Sequence, residues 1–262
     1  MTTIEFLSHL KEAQPEKWAK LRGYHKKLLK EKGFIIHRGT VGGENFVVIA
    51  TMSTTNRKTG NMIQVWILLE NIRPTEAVNS GLDASTVCKG CKFASKNGCY
   101  VQVGQAPFQI WKSFKSGLYR ELTPANYQYA FGGRSVRFGA YGNPSLLPIS
   151  KIKAIAKISD GWTGYFHDWK DMHPSTRKAY GQYLMVSTET NDSRKLAEKL
   201  KLRYFHVSPI KPKETIECLS ETKGLTCEKC KLCSGLTKKN KPSIWINPHG
   251  ATKTRAEIVA LN

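Results

Sequence analysis

The sequence predicts an α/β protein: a partial (β/α) barrel-like parallel sheet with crossover helices, preceded by a small N-terminal α+β region that contains a β-hairpin. From about residue 130 onward, short β-rich runs alternate with helical stretches, which is typical of parallel strands joined by crossover helices. Before residue 80, two β-rich runs flank a polar turn, which indicates a hairpin. We therefore divide the chain into an N-terminal region, 1–80, and an α/β domain, 81–262.

The N-terminal region is expected to hold one helix and one hairpin. Residues 1–32 are predicted to be helical, because Trp18, Leu21 and Leu28 fall near helical spacing among many charged residues. Strands are predicted over 46–50 and 62–68, and the residues between them have turn chemistry. Residues 71–87 are expected to be a connector.

The α/β domain carries β-rich runs separated by helical patterns. The predicted strands cover residues 136–140, 163–167, 183–187, 203–207, 215–218 and 243–246. Helices are predicted over 148–159 and 191–202, the second capped by Asn191 or Asp192. Because chemistry in such folds lies at the carboxyl ends of the strands, we expect a site among the polar residues that follow them.

The charge of the chain is strongly positive. It has 41 Lys and Arg against 20 Asp and Glu, a net charge of +21, which favours a nucleic acid or a nucleotide as partner over a merely solvated basic surface. No apolar run reaches transmembrane length, and the start lacks the pattern of a signal peptide. We therefore expect a soluble, intracellular protein without membrane contact, and the oligomeric state is not specified.

The first of two cysteine groups is Cys88-x2-Cys91-x7-Cys99, which we call the first cysteine set. The odd total of seven cysteines and the expected reducing compartment argue against a disulfide framework. Three thiolates can hold three irons of a [4Fe–4S] cluster and leave the fourth iron open to a substrate or cofactor. Gly90 and Gly98 are expected to let the loop wrap tightly. A zinc site completed by a His or by Cys218 is the alternative.

The second cysteine set consists of Cys227-x2-Cys230-x2-Cys233, with Cys218 upstream. The C-x2-C-x2-C run is similar to the three-ligand core of a bacterial ferredoxin cluster, whereas zinc usually takes two paired knuckles. Cys218, at the end of a predicted strand, supplies a fourth ligand. Three cysteines in one set and four in the other suggest a catalytic cluster and an auxiliary one.

Several polar residues near the predicted strand ends are candidates for the site. The catalytic candidates are His167, Asn143 and Glu189, and the cofactor-binding candidates are Tyr100, Asn143 and Ser187. His167 is a candidate general acid, or else a hydrogen-bonded histidine at a strand end.

Other residues have weaker signals. Arg134 and Arg137 either grip a phosphate or carboxylate or lie on the surface, and His249 is a further candidate for the site. Three tryptophans are expected in the core or in a pocket wall: Trp162, Trp169 and Trp245. The chain contains no dinucleotide-binding fingerprint, Walker loop, nucleophile elbow or zinc-protease motif, which disfavours those enzyme classes.

These motifs resemble an uncharacterised family encoded largely by bacteriophages. The matching stretches are 56–64, 88–101, 104–107, 136–144, 163–167 and 227–233. The resemblance implies a viral protein in the cytoplasm of the infected host cell. More distantly, the layout is similar to radical S-adenosylmethionine (SAM) enzymes, which combine a three-cysteine cluster with a partial barrel. Their usual spacing is C-x3-C-x2-C, from which this chain departs.

The sequence thus predicts an iron–sulfur protein with two [4Fe–4S] clusters, similar to radical SAM enzymes, that acts on a nucleic acid or nucleotide, with SAM as a candidate cofactor. The alternative is a basic iron–sulfur protein, or a zinc-stabilised module, that binds nucleic acid without catalysis.

Overall fold

The fold is seen in a computed structural model, which describes residues 12, 14–16, 31–54, 56–236, 241–250 and 252–261. The helix predicted over residues 1–32 lies almost wholly outside these residues. The described part contains most of the predicted elements and all seven cysteines.

Within the described residues, ten strands form one sheet. They are β1 (Gly33–Val41), β2 (Glu44–Thr51), β3 (Ile63–Leu69), β4 (Arg120–Glu121), β5 (Ser135–Tyr141), β6 (Gly161–Phe166), β7 (Met185–Thr188), β8 (Tyr204–Val207), β9 (Thr215–Glu217) and β10 (Ser243–Ile246). Their spatial order is β4-β1-β2-β3-β5-β6-β7-β8-β10-β9.

The N-terminal strands form the antiparallel part of this sheet. β2 pairs with β1 and with β3, so the predicted hairpin is confirmed and gains a further strand, β1. All seven residues of β3 are buried, because β5 pairs with its other edge in parallel. The strands of the N-terminal region therefore continue into the sheet of the α/β domain, with no break near residue 80.

The remaining strands are parallel and wind mostly in one direction. Pairing runs from β3 through β5, β6, β7 and β8 to β10, and β10 also pairs with β9. Helices cross between the successive strands, as expected for parallel pairing. The predicted mixed α/β fold with a mostly parallel sheet is confirmed, and its winding is compatible with a partial barrel.

The helices fill the connections between strands. They are α1 (Pro74–Ser80), α2 (Leu82–Ser85), α3 (Ala106–Lys115), α4 (Tyr127–Phe131), α5 (Ile149–Ile158), α6 (Pro174–Tyr183), α7 (Asn191–Lys199), α8 (Leu219–Thr222), α9 (Cys227–Cys230) and α10 (Lys253–Leu261). None of the helices in the described ranges is long and apolar enough to cross a bilayer.

Two sequence-based expectations about helices are corrected. The connector predicted over 71–87 contains α1 and α2, which begin after a left-handed or extended residue. The cap of α7 is Thr190, not Asn191 or Asp192, because Thr190 has extended backbone and its hydroxyl accepts from the Ser193 N–H at 3.2 Å. The Ser193 hydroxyl in turn accepts from the Thr190 N–H at 3.1 Å, which completes a capping box.

The tryptophans lie where they were expected, in the packed interior or at its edge. Trp169 is fully buried and donates to the Ser187 carbonyl at 2.8 Å. Trp245 donates to the Ser208 carbonyl at 2.9 Å, and Trp162 donates to the Tyr183 carbonyl at 2.7 Å. Each indole therefore has a hydrogen-bond partner, as buried polar groups require.

Candidate metal centre

A cavity of about 360 Å³ opens at the carboxyl ends of the parallel strands, and both cysteine sets form part of its wall. The thiol-bearing residues that line it are Cys88, Cys91, Cys99, Cys218, Cys227 and Cys233. Cys230 belongs to the same loop as Cys227 but does not line the cavity. Residues more than a hundred positions apart therefore meet at one site.

Alternate residues of two neighbouring strands supply the floor of the cavity. Arg137, Gly139 and Tyr141 come from β5, and Tyr165 and His167 come from β6 and its end. Residues two apart on a strand point to the same face, so this inner face is set by strand periodicity.

The loop that carries the first cysteine set is held by Asp83. This carboxylate is buried and accepts from the Ser95 hydroxyl and, at 3.1 Å, from the Ser95 N–H. The backbone carbonyl of Asp83 accepts from the Cys88 N–H at 2.7 Å. Sequence reasoning did not single out Asp83, since an isolated acidic residue in a presumed connector carries no local signal.

Gly90 and Gly98 allow this loop to wrap closely, as the sequence predicted. Both have positive φ, 83° and 112°. A Cβ at Gly90 would lie 2.7 Å from Asp168, and one at Gly98 would lie 2.7 Å from Ala256. Any larger residue would therefore push the loop away from the strand ends and from α10.

Burial and neighbouring charges raise the pKa of two thiols of the first cysteine set, those of Cys88 and Cys99. Burial raises the pKa of Cys88 well above its usual value, and the neighbouring Cys91, Asp83 and Cys99 raise it further. Burial likewise raises the pKa of Cys99 to about 12. Thiolates at these positions therefore need a bound cation to compensate their charge.

The second cysteine set is built around the short helix α9. The Thr226 hydroxyl caps this helix, and the carbonyls of Lys58 and Thr59 accept from the N–H groups of Cys227 and Glu228 at 2.9 and 3.1 Å. The turn between β2 and β3 thus satisfies donors at the start of α9. Lys231, with φ of 50°, ends the helix.

The four cysteines of this set are close enough for their charges to interact. Burial raises the pKa of Cys233, and Cys227, Cys218 and Cys230 raise it further. Burial also raises the pKa of Cys227, which Arg137 partly opposes. Cys218 joins the set from the end of β9, where its N–H donates to the Trp245 carbonyl at 2.9 Å.

The ligand geometry of a single metal ion is not formed. Within the described ranges, no group of three or more His, Cys, Asp or Glu side chains is placed to hold one ion. Within each set, the thiols are therefore close enough for their charges to interact, but they are not gathered about a single point.

Arg137 lies between the two cysteine sets. It is 8% exposed, and it donates to the Tyr165 hydroxyl at 2.9 Å and to the Tyr100 hydroxyl at 3.2 Å. Burial alone would lower its pKa, but Tyr165, Tyr100 and Cys227 together raise the pKa well above the usual value. The guanidinium therefore stays charged.

Arg134, the other arginine candidate, does not line the cavity. It donates to the Met52 carbonyl, and burial lowers its pKa to about 10. Its position is explained by packing against the end of β2.

Tyr100 and His249 form the rim of the cavity. Their rings stack at 5.6 Å with an angle of 29°, and Tyr100 is 44% exposed. Lys58 joins them, with Nζ at 3.2 Å from His249 Nε2 and 2.5 Å from Glu221 Oε1. Sequence reasoning missed Lys58, because it lies in the hairpin turn, far from the other site residues along the chain.

His167 and Ser187 also line the cavity, with Glu189 buried behind them. His167 Nδ1 lies 3.8 Å from Glu189 Oε1 and has no hydrogen-bond partner among the described residues. Burial alone would lower the pKa of His167. Its interactions with Cys91 and Glu189 are together stronger than this effect, so the pKa is raised to about 10. The Ser187 hydroxyl donates to Glu189 at 2.8 Å, which fixes the carboxylate.

Asn143 is fully buried and does not line the cavity. Its Nδ2 donates to the Lys89 carbonyl at 3.1 Å, and its Oδ1 accepts from the His167 N–H at 3.3 Å. The side chain that we expected to contact a substrate or cofactor thus joins the loop of the first cysteine set to the end of β6.

Comparison of the chain with protein-family models, with curated proteins and with solved structures finds no match. The resemblance to a bacteriophage-encoded family and to radical SAM enzymes therefore stays a prediction from the sequence.

Proposed function

We propose that this chain is a bacteriophage-encoded iron–sulfur protein with two [4Fe–4S] clusters, similar to radical SAM enzymes, that acts on a nucleic acid or nucleotide in the cytoplasm of the infected host cell. The observation that carries the proposal is the convergence of both cysteine sets on one cavity. Ligands of parallel α/β sheets bind at the carboxyl edge, where this cavity lies. A shared cavity favours a joint role over two separate structural sites.

The donor set fits iron–sulfur clusters. Seven thiols in two groups, two of them buried and five partly buried, provide the soft ligands that such clusters take. Zinc usually takes two paired C-x2-C knuckles, and the C-x2-C-x2-C run of the second set departs from that spacing. A cubane spreads its thiolates over separate irons, so it accommodates thiols that are near one another but not gathered about one point.

The division into three and four cysteines supports different roles for the two clusters. The first set leaves one iron of a cubane without a cysteine ligand, and SAM is the candidate occupant that the similarity to radical SAM enzymes implies. When bound, a reduced cluster supplies the electron for reductive cleavage of SAM. Around this set, His167, Ser187 and Tyr100 line the cavity, and Glu189 orients His167 from behind. The second set has four cysteines and fits an auxiliary cluster.

Metal and sulfide analysis of the anaerobically purified chain tests the proposal. We expect a brown protein with about eight irons per chain, four in each cluster. SAM should perturb the electron paramagnetic resonance signal of one reduced cluster, with slow release of 5′-deoxyadenosine under dithionite. Cys99→Ala should abolish the SAM effect, and Cys233→Ala should remove the other signal and serves as the matched control. A colourless protein with stoichiometric zinc contradicts the proposal.

The alternative function is binding of nucleic acid without catalysis, by a basic iron–sulfur or zinc-stabilised protein. The net charge of +21 favours it, as do the exposed Lys89, Lys92 and Lys96 on the loop of the first cysteine set. Affinity that falls steeply with salt, together with signals that SAM leaves unchanged, would favour this alternative.

A further inference from the structure

In the part of the chain that the structure describes, no carboxylate forms an ion pair with Arg137. Its hydrogen bonds within the described ranges go to the hydroxyls of Tyr100 and Tyr165, and none of the ion pairs there includes it. A buried cation loses its hydration, and neutral hydroxyls compensate only part of that loss. An anion is therefore expected next to the guanidinium.

The two tyrosines leave a hydrogen-bond donor free beside this cation. Their hydroxyl oxygens lie 3.2 Å apart, so one O–H is used in the bond between them while both oxygens accept from Arg137. The remaining O–H can donate to a ligand. A guanidinium with an adjacent hydroxyl donor is the arrangement that recognises carboxylate and phosphate groups.

The rim differs from the floor in its charge balance. Lys58, at the rim, forms an ion pair with Glu221. The floor holds Arg137, which interacts electrostatically with the Cys227 side chain. Since Cys227 also belongs to the second cysteine set, the rival explanation is that Arg137 only balances the charge of that set.

We propose that Arg137, Tyr100 and Tyr165 form an anion-binding site for the phosphate or carboxylate group of a small ligand in this cavity. The stacked rings of Tyr100 and His249 at the mouth offer an aromatic surface for a ring system attached to the anion. This inference deepens the proposed function, because it assigns residues to a nucleotide-like ligand.

Calorimetry on the anaerobically purified full chain tests this site with two pairs of probes. The first pair is adenosine 5′-monophosphate and adenosine, and the second is SAM and its decarboxylated form. We expect the member that carries the phosphate or carboxylate group to bind about 10-fold to 100-fold more tightly than its partner in at least one pair, as hydrogen bonds to charged groups imply. The pair that shows the preference identifies phosphate or carboxylate as the ligand group.

Variants connect the preference to the site. Arg137→Met should abolish it and Arg137→Lys should retain part of it, while Arg73→Met, which removes an exposed arginine that does not line the cavity, should leave it unchanged. Tyr100→Phe removes one hydroxyl from a partly exposed ring, so it should fold normally and reduce the preference severalfold. This variant keeps the proposal testable if Arg137→Met does not fold.

Each outcome separates this inference from the cluster proposal, because iron and sulfide are measured on the same samples. An iron-free protein that keeps the Arg137-dependent preference upholds the anion site and overturns the clusters. Absence of any preference in both pairs overturns the anion site, whether or not iron is present. If Arg137→Met loses iron but keeps the preference between the paired probes, the anion site is also overturned. Arg137 then only balances the charge of the second cysteine set.

Discussion

At the scale of single residues, Asn143 shows how one buried amide positions a whole loop. Replacing it with Ala removes the bonds to the Lys89 carbonyl and the His167 N–H, so we expect the free energy of unfolding to fall by about 1–3 kcal/mol. Iron bound by the first cysteine set should fall as well. Urea denaturation and iron analysis check both effects, with the exposed Asn71→Ala as control. Unchanged iron content would contradict the positioning role.

His206 is expected to make the stability depend on pH. Burial, followed by the charge of Arg194, lowers its pKa to about 4, while Glu189 and Glu198 oppose this only in part. Because the unfolded chain binds the proton more readily, stability should be complete above about pH 6.5 and should fall as the pH drops towards 4.

Over that pH range, the free energy of unfolding should fall by at most about 3 kcal/mol. His206→Gln should flatten this part of the pH profile of urea denaturation, whereas His173→Gln, which changes an exposed histidine, should keep the slope. An equal slope in all three proteins would show that His206 is not responsible.

The candidate site could be predicted in part at this scale. The cysteines were singled out by their spacing along the chain, and the structure brings both sets to one cavity. Alternation along β5 and β6 places Arg137 and Tyr165 on definite faces, but which face lines a cavity depends on how the sheet curves. Lys58 and His249 lie 191 residues apart, and nothing local connects them.

At the scale of elements, the turn between β2 and β3 stabilises α9, and Gly60 makes this contact possible. Gly60 has φ of 68°, and a Cβ there would lie 2.8 Å from Glu228 Oε2 and 3.1 Å from Thr226. Gly43 has a similar φ of 82° but no atom within 4 Å of an added Cβ, so it is a matched control.

Gly43→Ala should cost about 1–2 kcal/mol of backbone strain and leave iron content unchanged. Gly60→Ala should add a clash to the same strain and lower the iron held by the second cysteine set, with the first set retained. Iron analysis with spectroscopy of each cluster distinguishes the two variants. Equal effects would mean that the contact with α9 does not support the second set.

Elements were predictable where their signals are local. β10 was predicted with its observed bounds, because a short apolar run stands between Pro242 and Asn247. α9 was not predicted, because four residues are too few to show a helical periodicity. In addition, two of its N-terminal N–H groups donate to the carbonyls of Lys58 and Thr59, which are far away along the sequence. The cap of α7 was displaced by one residue because Thr190, Asn191 and Asp192 are all plausible caps.

At the scale of the whole molecule, the two cysteine sets should differ in their contribution to stability. The second set joins the crossover between β9 and β10 to the turn after β2, whereas the first set lies on one loop. Cys233→Ala should therefore lower the thermal midpoint by about 5 °C or more, given about 2–4 °C per 1 kcal/mol for a chain of this size.

Cys99→Ala should lower the midpoint less, because its loop remains held by Asp83 and Asn143. Calorimetry of the metal-loaded variants measures the difference. Equal losses would indicate that both sets are structural and would weaken the assignment of the first set to a reaction site.

The position of β10 between β8 and β9 has a consequence for the order of synthesis on the ribosome. β8 and β9 emerge before β10, so the inner edge of each lacks its parallel neighbour until residues 243–246 follow. Cys218 is held in place by the Trp245 carbonyl, and the loop of the first cysteine set is held both by residues near β5 and β6 and by Thr252, whose hydroxyl donates to the Gly98 and Cys99 carbonyls. Both cysteine sets therefore reach their final surroundings only after the C-terminal residues have been translated.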